Sequence, residues 1–173
     1  TAKSIPEDKK VTVYYADGEQ GLTTNVKGSI HTQAIDLIGA SNAAEVEVEK
    51  MSGGVDVSME QVLNFNPQVI IATQGKGGSE GAYDIVKKDE KWGPIKAVKD
   101  GKVYAIPDAP FNWFNKPPSV NRIIGVRWLG NLIYPEYFDI DVKQETKDFY
   151  KMFYHRDLTD EEVNEILKNA IAK

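Results

Sequence analysis

The sequence predicts an α/β domain in three layers, with a mainly parallel central sheet covered by helices on both faces. Val69-Ile70-Ile71-Ala72 is a continuous apolar run between Pro67 and a Gly-rich turn, as expected of a parallel strand buried on both sides. Stretches of strand propensity alternate with stretches of helical periodicity along the chain. The 173 residues suit one domain with a proper core. Hydrophobic residues make up 41% and charged residues 27%, an ordinary soluble balance. A formal net charge of -5, with no basic run, argues against a nucleic-acid partner. There is no apolar segment long enough to cross a bilayer. The absence of cysteine excludes disulfides, thiolate metal sites and cysteine nucleophiles. The opening Thr1-Ala2-Lys3 carries no signal-peptide pattern, as a mature chain would also read.

Ser4 to Lys10 is a polar, Pro-containing lead-in. Val11 to Ala16, β-branched and aromatic, predicts a buried strand. Asp17 to Ser29 is Gly- and Thr-rich and reads as a loop. A short helix is expected over Ile30–Ile38, with Ile30, Ala34, Leu37 and Ile38 inward and Gly39 as its stop. Val46 and Val48 alternate with Glu45, Glu47 and Glu49, the pattern of a half-exposed strand with a solvated acidic face. Ser58 and Gln61 form a capping box for a helix through Phe65, which Asn66-Pro67 ends. After the strand Val69–Ala72 and the turn Gly75–Ser79, a helix runs from about Glu80 to Lys88. Another short helix extends from Pro94 to Gly101, and Val103–Ile106 is the next strand.

Pro117-Pro118 interrupts the chain before a helix over Val120–Ile133, whose start Ser119 can cap. Val120, Ile123, Ile124, Trp128, Leu132 and Ile133 recur at helical spacing and are expected inward. Thr146–Phe153 and Thr159–Ala172 complete the helices, the latter opening on the capping box Thr159 and Glu162. No internal repeat or low-complexity tract is present.

Loops that follow strands in such a sheet gather at one edge, where ligands bind. Three do so here: Asp17–Ser29, Thr73–Ser79 and Pro107–Ser119. The first offers Asp17, Thr23 and Thr24, with His31 beside it; the second offers Thr73 and Gln74. The third offers Phe111, Asn112, Trp113, Phe114 and Lys116, a mixture of aromatic faces, amides and a cation suited to a small-molecule site. Trp113 or Phe114 would equally serve to pin that loop to the core. The Gly75-Lys76-Gly77-Gly78-Ser79 turn can cradle an anion or be a plain surface turn, and it has neither NTPase nor dinucleotide spacing. His31 can face the edge as a ligand or be an ordinary surface residue, and His155 reads as structural or exposed. Neither histidine has a metal-spaced partner, and no serine sits in a nucleophile elbow. No catalytic constellation stands out, so an enzyme is not expected, although an α/β enzyme or a signalling domain stays open as an alternative.

Five segments in order resemble one family. They are Ser4-Ile5-Pro6-Glu7 leading into Val11–Tyr15, then Gly28-Ser29-Ile30-His31, and Val57–Leu63 with Asn66–Ile71. Trp113–Arg122 and Phe149–Tyr154 complete the set. Together they resemble the C-terminal lobe of the helix-linked class of substrate-binding proteins of ABC importers, which serve iron–siderophore complexes, haem, cobalamin, molybdate or tungstate. The resemblance implies a three-layer Rossmann-like lobe at 11–173, with 1–10 as the end of the inter-lobe linker. It implies capture of an iron–siderophore, haem or related metal complex, or else a molybdate-type oxyanion. No resident cofactor or metal is implied. The expected location is extracytoplasmic, either periplasmic or as a membrane-anchored lipoprotein. The family has two lobes and holds its ligand between them, so half of the site is expected from outside these residues. It also carries an acidic residue in a Ser-x-Glu-Gln pattern that docks on the membrane permease. Here that pattern is Ser58-Met59-Glu60-Gln61, which gives Glu60 the docking role.

Overall fold

A computed structural model describes residues 2–46, 53–77, 79–115 and 117–172. After two 3-10 turns, Ala2–Ser4 and Glu7–Lys9, the chain enters β1 (Thr12–Ala16), β2 (Thr23–Thr24), α1 (Gln33–Leu37), β3 (Ser41–Asn42) and β4 (Val55–Asp56). It continues through α2 (Met59–Phe65), β5 (Val69–Ala72), α3 (Ala82–Lys88), α4 (Lys96–Lys99) and β6 (Val103–Ala105). The last helices are α5 (Asn121–Ile133), α6 (Val142–Tyr154) and α7 (Asp160–Ile166). The main sheet has the order β3-β1-β5-β6 and is parallel throughout, with Val13 opposite Val69 and Ile70 opposite Val103.

Alternation along β1 and β5 explains the three layers. Val13, Tyr15, Val69 and Ile71 point to one face and pack with Ile35, Trp128, Leu129, Phe149 and Val163 from α1, α5, α6 and α7. Tyr14, Ala16, Ile70 and Ala72 point to the other and pack with Val62, Val86, Trp92 and Ala97 from the α2–α4 side. Both faces of these strands are therefore dry, as a continuous apolar run requires. Residues 2–10 lie on the first layer through buried Ile5.

Several expectations are corrected. Helix α1 starts at Gln33, because the Thr32 hydroxyl donates to the Val26 and Ser29 carbonyls and holds residues 29–32 in turns. Ile30 and Leu37 are consequently exposed, while Ile35 takes the inward position beside Ala34 and Ile38. On α5, Ile123 is also exposed, and Asn121, Gly125, Leu129 and Gly130 are buried instead. Gly125 is required there, since a Cβ would lie 1.8 Å from the Trp113 carbonyl oxygen. Val120, not Ser119, is the residue before α5, although the Ser119 hydroxyl accepts the Asn121 N–H at 3.3 Å.

Helix α6 begins earlier than expected because Asp141 Oδ1 accepts from the Lys143 and Gln144 N–H groups. Helix α7 ends earlier than expected. Beyond it, Asn169 turns left-handed, and the Asn169 and Ala170 carbonyls take the Ala105 N–H and the Trp128 indole N–H. The antiparallel β2–β4 ribbon was not anticipated. The expected acidic strand around Val46 and Val48 lies mostly outside the described residues.

Candidate functional site

Because every strand of the main sheet is parallel, the segments following β1, β5 and β6 all emerge at one edge. Side chains lace them into a continuous belt. Thr73 Oγ1 donates to Asp17 Oδ1 at 3.1 Å, joining the first segment to the second. Gln74 Nε2 donates to the Ile106 carbonyl at 2.7 Å, joining the second to the third. His31 Nδ1 lies 2.5 Å from Asn115 Oδ1, and Arg122 Nη2 donates to the Ile30 carbonyl, which brings residues 30–31 against the third. Lys76 Nζ stands 3.4 Å from Asp108 Oδ2 across a hollow that Gln74, Gly77, Ala109, Glu165 and Ile166 also line.

The third loop is built as a frame. Asn112 Oδ1 accepts from the Phe114 and Asn115 N–H groups, both at 2.9 Å. Asn121 Nδ2 donates to the Phe111 carbonyl at 2.7 Å, and its Oδ1 accepts from the Tyr154 hydroxyl. The Trp113 indole N–H and the Tyr150 hydroxyl both donate to the Ala109 carbonyl. Beneath the edge, the Tyr15 hydroxyl is buried without a well-formed hydrogen bond. Burial and the Asp17 carboxylate push its pKa far up, so it stays a neutral phenol.

These positions sort the expected site residues. His31, Thr73 and Gln74 are half-buried at the edge, and Phe111 is exposed. Asp17 is nearly buried and engaged with Thr73. Trp113 and Phe114 are buried in the core, Phe114 with its ring 4.9 Å from Tyr15, so they anchor the loop and present no surface. Their apolar area is worth more inside than against water. Asn112 is buried and occupied by backbone N–H groups, and Thr24 is a buried member of the β2–β4 ribbon, opposite Val55. Thr23 donates to Asp56 Oδ1 in that ribbon and so serves the ribbon instead of the edge. Lys116 lies outside the described residues.

Sequence reasoning singled out neither Asn115 nor Asp108, although both lie in the third edge loop, while Lys76 stands in the turn already named as a possible anion cradle. The Asn112-x-x-Asn115 spacing, which suits an Asx turn, was the available signal for the first of them. Glu60 is exposed in the first turn of α2. That helix leads into β5, so its start lies at this same edge, where the Val57 N–H donates to the Leu22 carbonyl. Among the described residues no three His, Asp or Glu side chains gather to hold a metal ion. No helix among them is long and apolar enough to cross a membrane.

A family model described as "Periplasmic binding protein" matches residues 1–110. The molybdate-binding protein MolA of Haemophilus influenzae is 30% identical over 154 residues, covering 87% of this chain and 40% of that protein. An ABC transporter solute binding protein from Sulfurospirillum deleyianum superposes with a TM-score of 0.86 at 34% identity, over 96% of this chain and 50% of the other. A periplasmic solute binding protein from Veillonella parvula gives 0.80 at 31%, over 98% and 50%. The chain thus spans about half the length of the relatives it matches. The family model covers more than half of the chain, and the chain belongs to the periplasmic binding protein family.

Proposed function

We propose that this chain is the C-terminal lobe of the substrate-binding protein of an ABC importer, which captures an iron complex or related metal chelate and delivers it to a membrane permease. It acts outside the cytoplasm, in the periplasm or as a lipid-anchored surface protein, with residues 1–10 as the end of its inter-lobe linker. The observation that carries this reading is the laced edge. Four segments converge there, and they present an imidazole, an exposed aromatic ring, amides and a lysine on a rigid base. Such a wall suits reversible binding of a small organic complex. His31, Phe111, Gln74 and Thr73 are the contact residues, with Asp17 beside them.

A second reading is supported by the relatedness to MolA. Here the ligand is an oxyanion such as molybdate or tungstate, met by Lys76 and the N–H groups of the Gly-rich turn. Calorimetric titration of the intact two-lobed protein with ferric siderophores, haem, cobalamin and molybdate separates the two. A chelate that binds more tightly than molybdate supports the first reading, and molybdate alone supports the second. Binding of none of them contradicts both.

Glu60 is the permease contact in this reading. Its backbone lies in a helix turn fixed by the Ser58–Gln61 capping box, which presents the exposed carboxylate outward, and a charge facing a basic pocket directs encounter and orientation. Glu60→Arg should leave ligand affinity unchanged and cut ATP-driven uptake. Unimpaired uptake would reduce Glu60 to a first-turn residue favourable to its helix by about 0.3–1 kcal/mol.

A further inference from the structure

We propose that Asn115 is a positioning residue that holds the His31 imidazole with its proton on Nδ1, leaving Nε2 as an electron-pair donor for the ligand. The inference rests on the reading that His31 meets ligand at this edge, and it adds which atom does so and what fixes it. An amide oxygen only accepts, so the 2.5 Å approach of Asn115 Oδ1 to His31 Nδ1 places the ring proton on Nδ1. The hydrogen bond made by one ring nitrogen decides what the other can do.

Asn115 is itself held in place. It is only 3% exposed, and its own N–H is committed to Asn112 Oδ1 at 2.9 Å. Asn112 and Asn115 therefore form a buried support for a half-exposed ring.

The chemical consequence concerns the class of ligand. With a neutral ring, Nε2 binds a Lewis-acidic metal centre or accepts a proton from a donor, and it offers no hydrogen to a bare oxyanion. Among the described residues no three His, Asp or Glu side chains gather to hold a metal ion, and the His31 imidazole is the nitrogen donor this edge offers to a bound chelate. The matching ligand is a metal chelate with a coordination position open to nitrogen.

The test reads the tautomer directly. Long-range 1H–15N spectra of the 15N-labelled chain are recorded at about pH 8.5, roughly two units above the ordinary histidine value of ~6.5. His155, exposed on the turn after α6, is the internal reference. His31 should show a protonated Nδ1 and a bare Nε2. Asn115→Ala should convert it to the mixture seen for His155, and Asn115→Asp, which keeps an acceptor, should preserve the Nδ1–H form. Protonation of His31 on Nε2 in the parent chain, or an unchanged tautomer in Asn115→Ala, overturns the proposal. A purely structural asparagine would lower the melting temperature in both variants and leave the tautomer alone.

A second arm uses nickel(II) nitrilotriacetate, a chelate with open positions. It should broaden the His31 ring signals at about tenfold lower concentration than those of His155, and Asn115→Ala should abolish that preference. Equal broadening of both histidines with the Nδ1–H form intact would remove the ligand role of His31 from the proposed function. The hold of Asn115 on the ring would still stand.

Discussion

Residues 107–120, between β6 and α5, are pinned from below by Trp113 and Phe114, from within by Asn112, and from the sides by Asn121 and Tyr150. The segment between β5 and α3 is tied at its start by Thr73 to Asp17 and Gln74 to Ile106, and continues as an exposed turn closed on itself. In that turn Ser79 Oγ donates to the Lys76 carbonyl, and the backbone crosses so closely that a Cβ on Gly81 would stand 2.1 Å from the Gly75 nitrogen. One loop is a frame that fixes the groups mounted on it. The other is a surface turn that brings a cation to the hollow. The difference teaches that aromatic content marked the frame, and the proposed ligand surface is what the frame holds up: His31 and Phe111.

The largest effect should come from breaking the frame. Trp113→Ala removes a fully buried indole and should cost about 3–5 kcal/mol in chemical denaturation. Phe111→Ala, four-ninths exposed or so at 46%, should change stability far less and weaken ligand binding. If Trp113→Ala proved mild and Phe111→Ala severe, the assignment of anchor and surface would be reversed. At the other loop, Lys76→Ala removes an ion pair in which the lysine is largely solvent-exposed. Stability should move by no more than about 1 kcal/mol, and a larger loss would show that the second loop is also a frame.

The smallest effect belongs to α7, which walls the hollow that both loops share. The Thr159 N–H, and then Arg156, hold the Glu162 carboxyl below its usual carboxylate range. A depressed folded pKa stabilises the native state above the unfolded value of ~4.3, and that contribution is lost as pH falls through the lower folded value. Glu162→Gln should therefore flatten the acid limb of the stability–pH curve and leave its neutral limb parallel to the parent. An unchanged acid limb would mean that the capping carboxylate is not linked to folding.

Much of the fold was legible because its signals are local. The Val69–Ala72 run and the Ser58–Gln61 capping box both appear in the structure at the residues expected. The convergence of the loops at one edge followed from strand–helix alternation alone. What was not legible depends on partners distant in sequence. Ile30 and Leu37 fit a helical stripe, but the bonds of Thr32 to Val26 and Ser29 delay the helix and rotate its face. The end of α7 is set by demands from β6 and Trp128, which no local pattern near Asn169 announces. At the site, aromatic residues attracted a binding role by type, whereas burial decided it. His31 was identifiable as a candidate, but the asparagine that holds it lies 84 positions away.

The central claim is that ligand meets this lobe at the edge following β1, β5 and β6. The most direct measurement is a 1H–15N amide titration of the chain with ferric siderophores, haem, cobalamin and molybdate. The account predicts that at least one of them shifts signals of Asp17, His31, Thr73–Lys76 and Phe111–Asn115, and leaves the far end of the sheet unmoved. That far end holds a hollow lined by Trp128, Leu132, Ile140, Val142 and Ile171 together with Asp141 and Lys143. Shifts confined to that hollow would contradict the account.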